Sequence, residues 1–158
     1  MREAKVDEED GEEEVRLGKV LDFMRLLWSV DHGLQSLSKR MDARFGVTGP
    51  QRLVIRIVGR FPGISPGEVA SILKVHKSTL TGVLQRLEKR GLIERESSPD
   101  DRRRSLVRLT AAGQKVNTVR AGTVEAALRR AMNRLPISNL AAAEEVLSAF
   151  AAELQREI

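Results

Sequence analysis

Apolar residues recur along most of this chain at intervals of three and four, the period of an amphipathic helix. Leu17, Val20, Leu21, Met24, Leu27, Trp28, Leu34, Leu37, Met41 and Phe45 form the longest stripe and predict a helix ending before Gly46. Phe23, Leu26 and Val30 fall off that stripe, so this helix is apolar on more than one face and needs more than one partner surface. A second helix opens at Thr48, with Gln51 three residues on to complete a capping box. It carries Leu53, Val54, Ile55 and Val58 and stops near Gly59. Ser65-Pro66-Gly67-Glu68 combines a capping serine, a first-turn proline and a glutamate at the third helical position. It predicts a short helix from Pro66 to Leu73.

A turn of a few residues leads into Leu80, Val83, Leu84 and Leu87, which share one helix face; Gly91 ends that helix. The opposite face holds Ser78, Thr81, Gly82, Gln85 and Lys89. The period then changes to two. "LIERE" and "SLVRL" alternate as strands, and Ser97–Arg104 joins them into a hairpin. Thr110 caps a long helix running through about Leu135, which Pro136 breaks. The last helix has Leu140, Val146, Leu147, Phe150, Leu154 and Ile158 on its apolar side. The fold class is mainly α with a small β-hairpin, and the order of parts is that of a winged helix-turn-helix.

Composition narrows the function. The chain has 158 residues, 41% hydrophobic and 31% charged, enough for one globular domain. It has no cysteine, which excludes thiolate metal sites, thiol nucleophiles and thiol redox sensing, and no tyrosine. No glycine-rich phosphate loop or metal-spaced histidine pair is present, so no enzyme, metal site or cofactor is expected. No apolar run reaches transmembrane length, and the first residues lack the apolar core of a secretory signal; a cytoplasmic protein away from membranes is expected. Residues 1–14 hold eight acids and two bases and read as an acidic flexible extension. Removing their −6 from the total of +5 leaves about +11 on residues 15–158. A basic body of that kind points to a polyanion, most often nucleic acid.

The helix after the tight turn has the chemistry for that partner. A helix entering the major groove of double-stranded DNA keeps its apolar face on its own domain and offers short hydrogen-bonding side chains to base edges. Ser78, Thr81 and Gln85, with Thr79 beside them, are such side chains, and Gly82 permits close approach. Lys77, Arg86 and Lys89 reach phosphates at the groove walls. In "SPDDRRRSLVRLT", Arg102 and Arg104 are phosphate contacts, while Asp101 holds the Arg103 side chain toward a minor groove. The rival readings are a solvated helix face and a turn aspartate beside solvated arginines. His76, at the turn into this helix, reads as a cap or a phosphate contact.

"STLTGVLQRLEKRGLIERESSPDDRRRSLVRLTAAG", extended upstream by "GVTGPQRLVIRIVG" and "ISPGEVASIL", resembles the MarR (multiple-antibiotic-resistance regulator) family of bacterial transcription factors. Asp101-Arg102-Arg103 matches that family's Asp-x-Arg wing element. The resemblance implies a homodimer with interdigitating terminal helices (15–45 and 110–158), a DNA-binding lobe over 48–109 within one winged domain of 15–158, and a pseudo-palindromic operator. It further implies regulation, commonly by a small anionic or aromatic ligand between the dimerisation and DNA-binding parts, and the leading reading is a ligand-responsive repressor. Trp28 and His32, one turn apart, lie near where such a pocket would be, although a lone tryptophan in an apolar stripe also reads as plain core. The competing function is a winged-helix protein–protein module without DNA binding.

Overall fold

The computed structural model describes residues 15–158, so the acidic extension 1–14 lies outside the described residues. Helices α1 (Lys19–Phe45), α2 (Gly49–Arg60), α3 (Pro66–Leu73) and α4 (Lys77–Lys89) precede strands β1 (Ile93–Ser97) and β2 (Ser105–Leu109). Helices α5 (Ala111–Thr118), α6 (Val124–Met132) and α7 (Ile137–Arg156) follow. Two compact units divide within α1, one ending at Gly33 and the other running from Leu34 to Ile158.

In the N-terminal unit, Asp22 in the first turn of α1 accepts the backbone N–H of Leu17 at 3.2 Å and pairs with Arg25 at 3.4 Å. A carboxylate there offsets the positive end of the helix. The apolar stripe on this part of α1 is uncovered: Trp28 is 79% exposed, and Val20, Leu21, Met24, Leu26 and Val30 are exposed with it.

The second unit holds the core. Val54, Ile55 and Val58 of α2, Val69 and Ala70 of α3, Leu80, Leu84 and Leu87 of α4, and Ile93 and Val107 of the strands are all buried together. Each fully buried leucine or valine contributes roughly 1.5–3 kcal/mol relative to leaving it in water. Both predicted capping boxes form: Thr48 with Gln51 starts α2, and Ser65 with Glu68 starts α3. The strands pair antiparallel with Ile93 opposite Leu109 and Ser97 opposite Ser105. One further bridge joins them to the α2–α3 turn, where Val107 donates its N–H to the Ile64 carbonyl at 2.8 Å and Gly63 donates to the Val107 carbonyl at 3.0 Å.

The long helix expected from Thr110 to about Leu135 is instead two. Thr110 does cap α5, but the helix ends at Thr118, and Thr123 caps a new helix, α6, by accepting from Ala126 at 3.2 Å. Gly122, at φ +72°, takes the turn between them. The physical reason is a buried arginine. Arg52 of α2 is 1% exposed and is the largest fully buried side chain among the described residues. It donates to the carbonyls of Val116 and Val119, the latter at 2.6 Å, and pairs with Glu125 Oε1 at 2.7 Å. Helix-terminal carbonyls need donors, and here a guanidinium supplies them in the helix's place.

Candidate nucleic-acid interface

The turn between α3 and α4 is three residues long. Lys74 caps α3 in the left-handed conformation, φ 53°, and its N–H and that of Val75 return to the carbonyls of Ser71 and Ala70 at 3.2 and 3.1 Å. His76 occupies the N-cap position of α4 with its side chain exposed and making no capping hydrogen bond. The capping role read for it from sequence is therefore not formed.

With Leu80, Leu84 and Leu87 committed to the core, α4 presents one continuous polar side. Lys77, Ser78, Thr79, Thr81, Gln85, Arg86 and Lys89 are all exposed. Two of them fold back onto the helix: Thr81 donates its hydroxyl to the Lys77 carbonyl at 2.8 Å, and Arg86 Nε donates to the Gly82 carbonyl at 3.1 Å. Thr81 thus retains only the acceptor lone pairs of its hydroxyl for a partner. Around Gly82 the space is open, since an added Cβ would meet only the Arg86 guanidinium, at 3.5 Å.

The wing tip departs from expectation in one respect. Asp101 Oδ1 accepts the backbone N–H of Arg103 at 2.9 Å, and no Asp101–Arg103 side-chain pair forms among the described residues. An aspartate bonding the N–H two residues on closes an Asx turn, so Asp101 shapes the loop and leaves the guanidinium unheld. Arg104 completes the turn, donating its N–H to the Asp101 carbonyl at 2.9 Å and accepting from Ser98 at 2.8 Å. Asp101, Arg102, Arg103 and Arg104 are all exposed. The charge of Arg104 also reaches Glu68, whose carboxyl is held below its ordinary range chiefly by the Ser65 hydroxyl and then by the Ser65 N–H.

Three ion pairs that periodicity did not reveal brace this surface. Arg95 of β1 lies 3.2 Å from Glu88 of α4, a charge contact without hydrogen-bond alignment. Arg108 pairs with Glu96 across the hairpin at 3.2 Å. Arg90, just past α4, pairs with Asp42 at 2.8 Å and donates to the Gly46 carbonyl, tying α4 to the end of α1. Only the strand register makes the Arg108–Glu96 diagonal visible, and only the folded turn brings Arg90 to Asp42. Trp28 and His32 are both exposed on the N-terminal unit.

A short helix, a three-residue turn, a second helix with a polar outer side and a braced basic hairpin define a winged helix-turn-helix, the fold class of a DNA-binding regulator. The sequence model of the MarR family matches residues 45–104. The transcriptional regulator HosA of Escherichia coli O111:H- is 38% identical over 90 residues, spanning 54% of this chain and 67% of HosA. The chain belongs to the MarR family of transcription regulators. Its fold is shared with Staphylococcus aureus MepR, solved as a DNA complex (19% identity, TM-score 0.68, 84% of this chain and 97% of that one). It is shared equally with Streptomyces coelicolor PcaV, solved with its natural ligand (23% identity, TM-score 0.68, 87% and 97%). No helix among the described residues is long and apolar enough to cross a membrane.

Proposed function

We propose that this protein is a homodimeric repressor that binds a pseudo-palindromic operator, with α4 in the major groove and the wing at the adjacent minor groove. The observation that carries it is the division of α4. Three leucines are buried in the domain while seven polar and basic side chains on the remaining faces are exposed next to a hairpin tip of three arginines. In the proposed complex Ser78, Thr79, Thr81 and Gln85 face base edges, and Lys77, Arg86, Lys89, Arg102 and Arg104 face phosphates. Arg103 enters the minor groove from a loop that Asp101 holds in shape.

The dimer is supported by uncovered apolar surface at both ends of the chain. Trp28 and its neighbours on α1 are exposed, and on α7 Val146, Leu147, Phe150 and Leu154 are each 41–49% exposed. A helix with an apolar stripe buries it against something, and a second copy offers the matching stripe. A small anionic or aromatic effector taken up near Trp28 is the input in this reading, supported by the ligand-bound state of PcaV. Such a ligand acts by favouring one spacing of the two reading heads over another. No catalytic step, metal or cofactor forms part of the proposal.

Selecting bound fragments from random and genomic DNA, followed by sedimentation of the complex, tests it. The expected result is an inverted repeat with half-sites about one helical turn apart, occupied by two chains. A stable folded monomer at micromolar concentration, or selected fragments with no inverted repeat, overturns it.

A further inference from the structure

Of the α4 side chains that face base edges in the proposed complex, Thr81 has its hydrogen-bonding polarity already decided. Its hydroxyl oxygen lies 2.8 Å from the Lys77 carbonyl oxygen. A carbonyl only accepts, so the hydroxyl proton is committed to Lys77 and the oxygen turns its lone pairs outward. Ser78, Thr79 and Gln85 make no side-chain hydrogen bond among the described residues and keep donors and acceptors alike. Their polarity is open until DNA arrives; that of Thr81 is not.

The same bond fixes a second group. Hydroxyl and methyl branch from one Cβ, so holding Oγ1 against the Lys77 carbonyl holds χ1, and with it the direction of Cγ2. Thr81 is exposed, with Gln85 one turn further on and Gly82 beside it, where the surface carries no Cβ. It therefore offers a groove one oxygen acceptor and one methyl group, in fixed relation, and no donor.

The major groove contains a match for that pattern. Adenine presents an N6–H donor and thymine a C5 methyl, and an A·T pair has both. Cytosine also offers an amino donor but carries hydrogen at C5. Guanine offers only the O6 and N7 acceptors, which face the Thr81 oxygen as like dipoles. Turning the hydroxyl proton toward guanine would break the Lys77 bond to make another, with no net gain. We propose that Thr81 selects an A·T pair in each half-site, accepting from adenine N6–H and covering the thymine methyl with Cγ2. The assignment rests on the placement of α4 in the major groove proposed above and adds which base pair one of its residues chooses.

The test titrates the full chain, Thr81→Val and Thr81→Ser against operator duplexes selected by the wild type, with each A·T pair altered in turn. Purine deoxyriboside in place of adenine removes the N6 amino group; deoxyuridine in place of thymine removes the methyl. At one pair in each half-site, the purine should weaken wild type and Thr81→Ser by about 2- to 10-fold and leave Thr81→Val unaffected, since valine has no acceptor to lose. Deoxyuridine there should weaken wild type and Thr81→Val by about 3- to 4-fold and leave Thr81→Ser unaffected, since serine has no methyl. Equal affinity of the three proteins for random DNA reports that fold and phosphate contacts are intact. Losses identical in all three proteins at every pair, a split for only one of the two modifications, or a half-site with no A·T pair overturns the assignment while DNA recognition by α4 stands. A wild-type chain that selects no sequence overturns both.

Discussion

Replacing Glu125 by glutamine removes the charge that faces a buried guanidinium while keeping the side chain's shape and one acceptor oxygen. Arg52 then retains the carbonyls of Val116 and Val119 but has no counter-charge at Glu125. Breaking a fully buried ion pair by removing one partner costs about 3–5 kcal/mol. The Glu125 side chain keeps 35% of its surface in water, which screens the interaction, so the expected loss is about 2 kcal/mol at neutral pH. In a domain of this size that lowers the melting temperature by about 4–8 °C. The acid dependence has a definite sign. Burial pushes the Glu125 carboxyl up, but the hydrogen bond from Arg52, the Glu125 backbone N–H, the charge of Arg52 and the Thr123 hydroxyl together outweigh it, leaving the folded pKa below the ordinary 4.5. A group depressed in the folded state stabilises fully above its unfolded pKa and loses that contribution as pH falls through the folded one. Urea unfolding of wild type and Glu125→Gln should thus differ most near pH 7, the gap closing as pH falls below 4.5 and through the depressed folded pKa. The double variant Arg52→Met/Glu125→Gln should lose at least about 1 kcal/mol less than the sum of the single losses. A loss under about 0.5 kcal/mol at pH 7, or a gap that widens in acid, would refute the assignment of Glu125 as the counter-charge of a buried Arg52.

Four further outcomes are expected. Gln85→Ala should weaken operator binding by about 1–3 kcal/mol while barely changing affinity for random DNA; Arg102→Ala should weaken both and lower the salt slope by about 0.9 for each phosphate left unneutralised in each subunit, measured by titration at two salt concentrations. Asp101→Asn keeps the acceptor for the Arg103 N–H and should bind DNA as well as or better than wild type. Asp101→Ala loses the turn and should bind several-fold more weakly although a negative charge is gone; tighter binding by the alanine variant in the same titration would mean the turn does not matter. Gly113→Ala should cost about 1–3 kcal/mol in urea unfolding, because its Cβ would stand 1.9 Å from the Leu92 carbonyl oxygen. Gly82→Ala, facing open space, should instead raise stability by about 1 kcal/mol and reduce operator affinity, a split read by unfolding and gel-shift assays on one preparation.

The chain by itself determined most of the DNA-binding lobe, because its signals are local. Ser65 and Glu68 interact within one turn, Thr48 and Gln51 likewise, and the change of period from 3.6 to 2 after Gly91 separates α4 from the hairpin whatever else the chain does. The exposed side of α4 follows from where its leucines fall, so its candidate DNA-facing residues are legible in the sequence. Pairings between residues distant in sequence were decided only by tertiary structure. Arg52 lies in a stretch that reads as an amphipathic α2, yet folding buries it, and its pairing with Glu125, 73 residues away, goes with an end to α5 that capping and periodicity alone had placed near Pro136. Asp101 shows the same limit at short range: two neighbouring charges suggested a side-chain pair, but the loop's own geometry offered the backbone N–H of Arg103 first. Local propensity specifies an element until a buried charge or a closing turn needs the same backbone groups, and at those points only the folded chain determines which partner takes them.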